Sequence, residues 1–593
     1  MQREFISKLV DRIFSLKKST VYLMLIVVFG FVFRALYALR ARFYADEMVH
    51  GTHTIGFISS GRLQIMDQAA IWFWLNDLAM KIFGVNVFGM RFIAILLGTL
   101  TIIVVYLLGK EIFSKRVGIM ASLITSLSLY QLEMTNSGAD VGMSFFAMLS
   151  LYFFILFSKN KNKRYFYLIW VSIAIAVMTK PIAAVFFIVL FLCSLFYHFR
   201  KQKSVKLKEY IYLAVLMALI FLPVFAFNYL LYQDKGILDL QFARFTRISI
   251  ETYASIAPTV ESFKPSTLIF NVPAYGEPAS LQALSFIYER ELLIVILFAI
   301  IGLIYLFKDK INYRNLILAT FLIPFLFLAG TSVLPNHFVF TSFYISLVSA
   351  FGIEKLFGLI KNPNYRKRLF IVVVIFLIGA MYTKVLASEA NGFFGQKNEL
   401  GKLIDFKDDN IGKDSLVISD SRIYTGRTVF MLWNRNYLQG SDFLSAVSSP
   451  ELPGTETPIE VYLVECVPDD CGWGGSQVAG VLNDSMEILT AEFQRVGKLE
   501  RTIYDVHGKE YFKIYKARIG LKAGIIPFAK STHSWFYYPV NYEKNVKSFD
   551  DYTTDNILEK SLDVFAHIIL YIDILIAVIL AGYSIKLLFK EST

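Results

Sequence analysis

The chain is poor in charge and poorer in cysteine. Only 18% of its 593 residues are Asp, Glu, Lys or Arg, against 56% hydrophobic and 16% aromatic, with a mean hydropathy of +0.53. That shortage of charge excludes an ordinary soluble globule. Of the three cysteines, Cys193 lies in an apolar run, so one local disulfide, Cys466 to Cys471, is the most the chain offers in an oxidising compartment; two unpaired thiols are the alternative. Internal repeats, collagen-like tracts and low-complexity linkers are missing. No small-residue cleavage site follows Leu39, so the first apolar stretch reads as a retained helix. His50 and His53 have the look of a sparse metal pair but find no third ligand, and four residues between Cys466 and Cys471 make a poor zinc site. No metal or other cofactor is therefore required by the sequence, and a metal dependence is left open.

What the chain has instead is apolar length. A bilayer core about 30 Å thick needs roughly 20 apolar residues per helix, and segments near that length recur throughout. Their cores are Tyr22–Leu39, Val87–Leu108, Val117–Leu132, Gly142–Phe157, Tyr165–Met178, Ile182–Phe199, Tyr210–Tyr232, Leu292–Phe307, Leu316–Leu334, Phe340–Ile360, Leu369–Ala387 and Val564–Leu588, about twelve spans in all. Lys and Arg cluster in every second loop, as at Lys110, Lys115 and Arg116 or Arg366, Lys367 and Arg368, which puts both termini in the cytoplasm. The net charge of +12 is mostly this topological signal plus attraction to anionic lipid, so nucleic acid is not an expected partner.

Three regions then fall outside the cytoplasm: 40–86, 233–291 and 388–563. The first carries Trp72, Phe73 and Trp74, the second opens on 236–247, and both suit interfacial helices forming a lid over a cavity at the outer leaflet. The third, about 175 residues, has the size of one domain. Its strand-like runs Ser415–Ser419, Ile459–Val464 and Glu510–Tyr515 alternate with polar turns and predict a mixed α/β fold. The expected organisation is an all-α membrane unit over 1–387, a smaller extracytoplasmic α/β domain over 388–563, and a last helix with a cytoplasmic tail over 564–593, an integral membrane protein most simply placed in the plasma membrane.

Ionisable residues at membrane depth are expensive and therefore informative. Asp46 and Glu47, Arg62 and Asp67, Glu133 and Asp140, Lys180, Arg244 and Arg247, and His337 all fall on the outer side of this topology. Each has an ordinary reading: a solvated loop for the acidic pair, a helix-start charge favoured by the dipole for Asp140, snorkelling for Lys180, lipid headgroup binding for the arginines, an interface residue for His337. Their common depth suggests one site.

Their order resembles a known family. Ala45-Asp46-Glu47 after the first helix, Ile71-Trp72-Phe73-Trp74, Asn136 to Asp140 opening the fourth helix, Met178-Thr179-Lys180-Pro181 and Leu334-Pro335-Asn336-His337 are similar to the GT-C membrane glycosyltransferases. Within them the chain resembles the branch holding the dolichyl-phosphate-mannose protein mannosyltransferases and the lipid A aminoarabinose transferase. The resemblance covers about 22–360. It implies a GT-C-like fold and inverting transfer of a sugar, hexosyl or pentosyl, from a dolichyl- or undecaprenyl-phosphate donor to a lipid, protein or glycan acceptor, without an obligatory metal. It further implies Asp46 as the base with Glu47 in support, Asp140 as the second acidic residue, and Lys180 on the donor phosphate. Arg244, Arg247 and His337 are expected near that phosphate from location, and Asp67, Gln68 and Trp72 near sugar or acceptor.

The chain also departs from that pattern. Where the family often has Lys-Pro or Pro-Pro before the aromatic run, this sequence reads Met66-Asp67-Gln68-Ala69-Ala70, and one phosphate ligand is missing. The 233–291 region is too short for the inserted β-trefoil of eukaryotic protein mannosyltransferases. Two other classes fit the helix count: a transporter or flippase, which would call for inverted repeats or broken helices with midplane polar residues, and a non-catalytic assembly protein, for which the acidic pair would be dispensable.

Overall fold

In the computed structural model the described residues are 18–41, 47, 51, 54–55, 70–135, 138–201, 206–239, 242–243, 246–248, 264–272, 276–309, 311–331, 333–387, 399–423, 425–468, 476–505, 507–531 and 552–590. Asp46, Asp67, Gln68, Arg244 and Cys471 lie outside them, as do His50, His53 and Arg62.

Each expected apolar core lies mainly on helix. The first half of the bundle is α1 (Lys18–Arg40), α2 (Ala70–Phe83), α3 (Val87–Ile112), α4 (Lys115–Leu127), α5 (Leu129–Met134), α6 (Ala139–Asn160), α7 (Lys163–Thr179), α8 (Ala184–Lys201) and α9 (Leu207–Lys235). The second half is α10 (Ala279–Arg290), α11 (Leu293–Lys308), α12 (Arg314–Thr331), α13 (Thr341–Gly358) and α14 (Pro363–Ala387). Among the described residues, eight helices are long and apolar enough to cross a bilayer alone, and nine if the pair α10 and α11, bent by 119°, counts as one span. This is an integral membrane protein.

Polar caps set the helix starts. Asn86 accepts from Gly89 N at the head of α3, and Ser114 accepts from Val117 N at the head of α4. The expected span Val117–Leu132 is two helices, because Ser128 leaves the helical region at φ −57°, ψ 122° and caps α5 through Gln131 N. The carbonyls freed at the end of α4 need donors, since no water is available at that depth. Arg34 of α1, fully buried, supplies them to Thr125 O at 3.1 Å and Ser126 O at 3.4 Å. A cation at a helix C-terminus also meets the negative end of its dipole. Close packing of α11 on α13 depends on two glycines: a Cβ on Gly302 would lie 2.0 Å from Val348 O, and one on Gly352 2.1 Å from Phe298 O.

The aromatic run is buried against the bundle. Trp72 and Phe73 on α2 are almost fully buried and belong to the main apolar core with α3, α6 and α7. Facing them from the other side is the last helix, α20 (Ile557–Lys590), with Trp74 and Tyr571 edge to face at 5.9 Å. Just before α20, Thr553 N and Oγ1 both donate to Asp234 at 2.9 Å, tying the approach of that helix to the end of α9.

Between α14 and α20 lies the α/β domain: α15 (Glu399–Asn410), β3 (Leu416–Ser419), α16 (Thr425–Met431), β4 (Asn436–Gln439), α17 (Gly440–Ser448), β5 (Glu456–Cys466), α18 (Ser476–Val496), β6 (Lys498–Tyr504), β7 (Glu510–Lys522) and α19 (Ile525–Ser531). A two-stranded ribbon, β1 (Asn271–Val272) with β2 (Glu277–Pro278), precedes α10 in the membrane unit. The five-stranded sheet runs β4-β3-β5-β7-β6, parallel through β4, β3 and β5 and antiparallel beyond. Strand alternation divides its side chains between two cores. Leu416, Ile418, Val461, Leu463, Tyr515 and Ala517 face one, and Val417, Tyr462, Val464, Phe512 and Ile514 the other. The second core does not stop at the domain: it takes in Ile55, Met80 and Met90 of the membrane unit, with Val85 and Val87 against it. Cys466 is disulfide-bonded and Cys193 is free.

Candidate functional site

At the end of the bundle that meets the α/β domain, charged side chains that the membrane would otherwise exclude collect in one layer. Asp140 stands in the first turn of α6, after Gly138, whose φ of +83° turns the chain into the helix without a side-chain cap. Its carboxylate is fully buried. Lys180 Nζ donates to Oδ2 at 2.6 Å, and Asn336 Nδ2 donates to the same oxygen at 3.0 Å. Lys180 reaches it because α7 ends at Thr179 before Pro181, leaving Lys180 extended. Asn336 and His337 come from a 3₁₀ turn, Pro335–Phe338, and both are buried. Asp140 Oδ1 and Asn336 Oδ1 are buried with no hydrogen-bond partner among the described residues. Two acceptors left unmet in one buried place suit a hydroxyl-bearing ligand.

Glu47, next to Asp46 in the chain, is buried too. Arg91 of α3 grips it through both oxygens, Nε to Oε1 at 2.5 Å and Nη2 to Oε2 at 2.8 Å. The same guanidinium donates to Ala38 O and Ala41 O at the end of α1. A bidentate pair of this kind fixes orientation as well as charge. Against Glu47 lies a cavity lined by Glu47, Thr54, Trp72, Asn76, Met90, Arg91, Ala94, Thr135 and Gly138, the last standing two residues before Asp140. Trp72 forms its wall against α6, where a Cβ on Gly142 would come 3.0 Å from the indole.

A third charged group completes the layer. Arg290, ending α10, binds Glu133 at 2.7 Å and lies over the Tyr130 ring, whose hydroxyl donates to Pro335 O at 2.6 Å. Glu291, at the bend before α11, accepts from Ser128 Oγ at 2.6 Å, and Lys384 of α14 donates to its carbonyl. The broken helix α4–α5 and the bent pair α10–α11 thus meet where the polar groups are.

The structure brings Asp140, Lys180 and His337 into one cluster and Glu47 and Trp72 into one cavity. Arg247 is exposed, with a φ of 62°, and joins neither. Sequence reading missed Arg91, Asn76 and Arg290, and it named Glu133 and the motif holding Asn336 without giving either a partner. For Arg91 a signal was present: a lone cation in the first turn of an apolar 26-residue helix. Among the described residues no three His, Cys, Asp or Glu side chains converge in a way that would hold a metal ion.

The dolichyl-phosphate-mannose-protein mannosyltransferase family model matches residues 67–227. An uncharacterized protein of Aquifex aeolicus (strain VF5) is 30% identical over 190 residues, 30% of this chain, and the chain spans 38% of that relative's length. Among solved structures, ArnT from Cupriavidus metallidurans bound to undecaprenyl phosphate superposes with a TM-score of 0.54, covering 84% of this chain and 97% of ArnT at 11% identity. This chain has the GT-C fold. The GT-C bundle also aligns, at a TM-score of 0.49 and 14% identity, with the archaeal oligosaccharyltransferase AglB from Archaeoglobus fulgidus in complex with an inhibitory peptide and a dolichol-phosphate, covering 83% of this chain and 74% of AglB. By fold and family match together, the chain resembles the mannosyltransferase and ArnT branch of the GT-C superfamily.

Proposed function

We propose that this GT-C protein is an inverting glycosyltransferase that moves a sugar from a polyprenyl-phosphate to an acceptor on the outer side of the membrane, with both chain termini cytoplasmic. The observation that carries the reading is a pair of buried carboxylates at one end of the bundle: Glu47, held by Arg91 in the cavity wall, and Asp140, held by Lys180 and Asn336 two residues beyond the cavity-lining Gly138.

An acceptor hydroxyl is a weak nucleophile. Asp46, one peptide bond from the fixed Glu47, takes its proton as the oxygen attacks the anomeric carbon. The new carbon–oxygen bond forms as the bond to the lipid phosphate breaks, and the electron pair leaves with the phosphate. That leaving group needs positive charge rather than a proton, and Lys180, which matches the Thr-Lys motif of the family, supplies it with Arg290 and His337 in the same layer. The match to dolichyl-phosphate-mannose-protein mannosyltransferases and the undecaprenyl phosphate bound by ArnT support a lipid-phosphate donor. Sugar identity and acceptor follow from a donor panel. Purified protein with a series of polyprenyl-phosphate sugars and host membrane extract should release polyprenyl phosphate, and Asp46→Asn should lower that rate by about 10²–10⁴. Full turnover by Asp46→Asn, or none by the wild type with any donor, would refute the proposal.

A further inference from the structure

We propose that the α/β domain is a buttress of the catalytic loop, with Phe430 as a positioning residue that holds the segment 47–55 against the membrane bundle. This rests on the reading of Asp46 as the base, but the geometry behind it is separate.

The segment is held at two places. At its start Glu47 is bound by Arg91. Four residues on, Gly51 is pressed between units: a Cβ there would lie 2.9 Å from Met90 Sδ and 3.2 Å from Phe430 Cδ2. Arg91 and Met90 are consecutive on α3, so one turn of that helix supplies the inner jaw at both points. The outer jaw is α16 of the α/β domain. Ile55, fully buried, sits in the same apolar core as Phe430, Val429, Leu403 and Ile404. Thr54, also fully buried, faces the cavity that Glu47 and Arg91 line. Of the described residues, Glu47 and Thr54 line the cavity while Gly51 and Ile55 meet the domain, so loosening the domain side frees the cavity side.

A tether that only collects acceptor would sit apart from the donor site, and its loss would spare cleavage of donor by water. A buttress behaves otherwise. Phe430→Ala, in the full-length protein, should slow donor cleavage by water and transfer to acceptor alike, lowering kcat at least about tenfold while the donor KM stays within about twofold. Hydrogen exchange over 47–55 should rise by at least about tenfold. Phe430→Leu, which keeps most of the apolar volume, should recover most of both. Phe443→Ala, in the opposite core of the same sheet, is the control and should change neither. Unchanged exchange over 47–55 in Phe430→Ala, or an equal change in Phe443→Ala, would overturn the proposal. If Phe430→Ala does not fold, Phe430→Leu must show an intermediate rise in exchange, and wild-type exchange would overturn it. Exchange is read without any donor, so a wild-type protein that turns over none would refute the glycosyltransferase reading while this test still decides the buttress.

Discussion

Lys180→Met should cost this protein more than the charge it removes. Asp140 has no exposed surface, and Lys180 has about a tenth of its side chain exposed at 2.6 Å from Oδ2. Without the lysine, the carboxylate keeps a single side-chain donor, Asn336, and cannot reach water. An uncompensated buried charge of this kind costs about 3–5 kcal/mol. Asp140→Asn is milder, because the remaining lysine can turn toward the cavity and the loss is closer to that of a charged hydrogen bond, about 1.5–3 kcal/mol. Removing both charges leaves no orphan, so the double variant should resemble Asp140→Asn alone. The coupling between the two sites is then the whole cost of Lys180→Met, about 3–5 kcal/mol. Unfolding in mixed micelles of mild detergent and SDS, followed by tryptophan fluorescence, gives all three differences. Costs that add to within about 0.5 kcal/mol would show that the pair is not buried as described, and would remove the physical basis for a closed site at this end of the bundle.

Gly302→Ala and Gly352→Ala each push a methyl group into a backbone carbonyl, and should cost about 1–3 kcal/mol in the same assay. Gly379→Ala, with no heavy atom within 4 Å, should cost nothing. Glu47→Gln, which breaks the Arg91 pair beside an intact Asp46, should lower donor turnover about tenfold to a hundredfold with little change in KM. In the α/β domain, burial raises the carboxyl pKa of Glu465 above its ordinary 4.5. A raised carboxyl pKa means the folded form holds its proton longer than the unfolded chain, so stability falls as pH climbs from 4.5 through the raised value. Glu465→Gln should therefore stabilise the domain at neutral pH and lose that advantage below about pH 4, as pH-dependent melting would record.

Much of this architecture was legible from periodicity and charge. The apolar cores are mainly helical, and strands β3, β5 and β7 lie where alternation put them. Strands β4 and β6 escaped: β4 is four residues long and begins at Asn436, and β6 is mostly exposed and carries charge, so neither offers an apolar alternation. The burial of Trp72 was not legible for a related reason. Aromatic and polar residues in one helix suit a membrane surface, but they equally suit a helix wedged between a bundle and a cavity. In the site, Lys180 and Asp140 were visible because both stand at helix ends. Arg91 and Asn336 acquire meaning only from partners 44 and 196 positions away, Glu47 and Asp140. No local pattern carries that information.

Arg34 has a consequence for the order in which this protein is built. A bare arginine raises the cost of inserting a helix by about 2.5–3.5 kcal/mol at its centre, on the scale set by the translocation machinery, and by less toward the end where Arg34 stands. Its partners, Thr125 O and Ser126 O, are 91 and 92 residues downstream. The first helix therefore enters the bilayer on credit from its apolar neighbours alone. Those carbonyls arrive only when the ribosome has delivered α4, so the stability of α1 waits on a helix made three helices later.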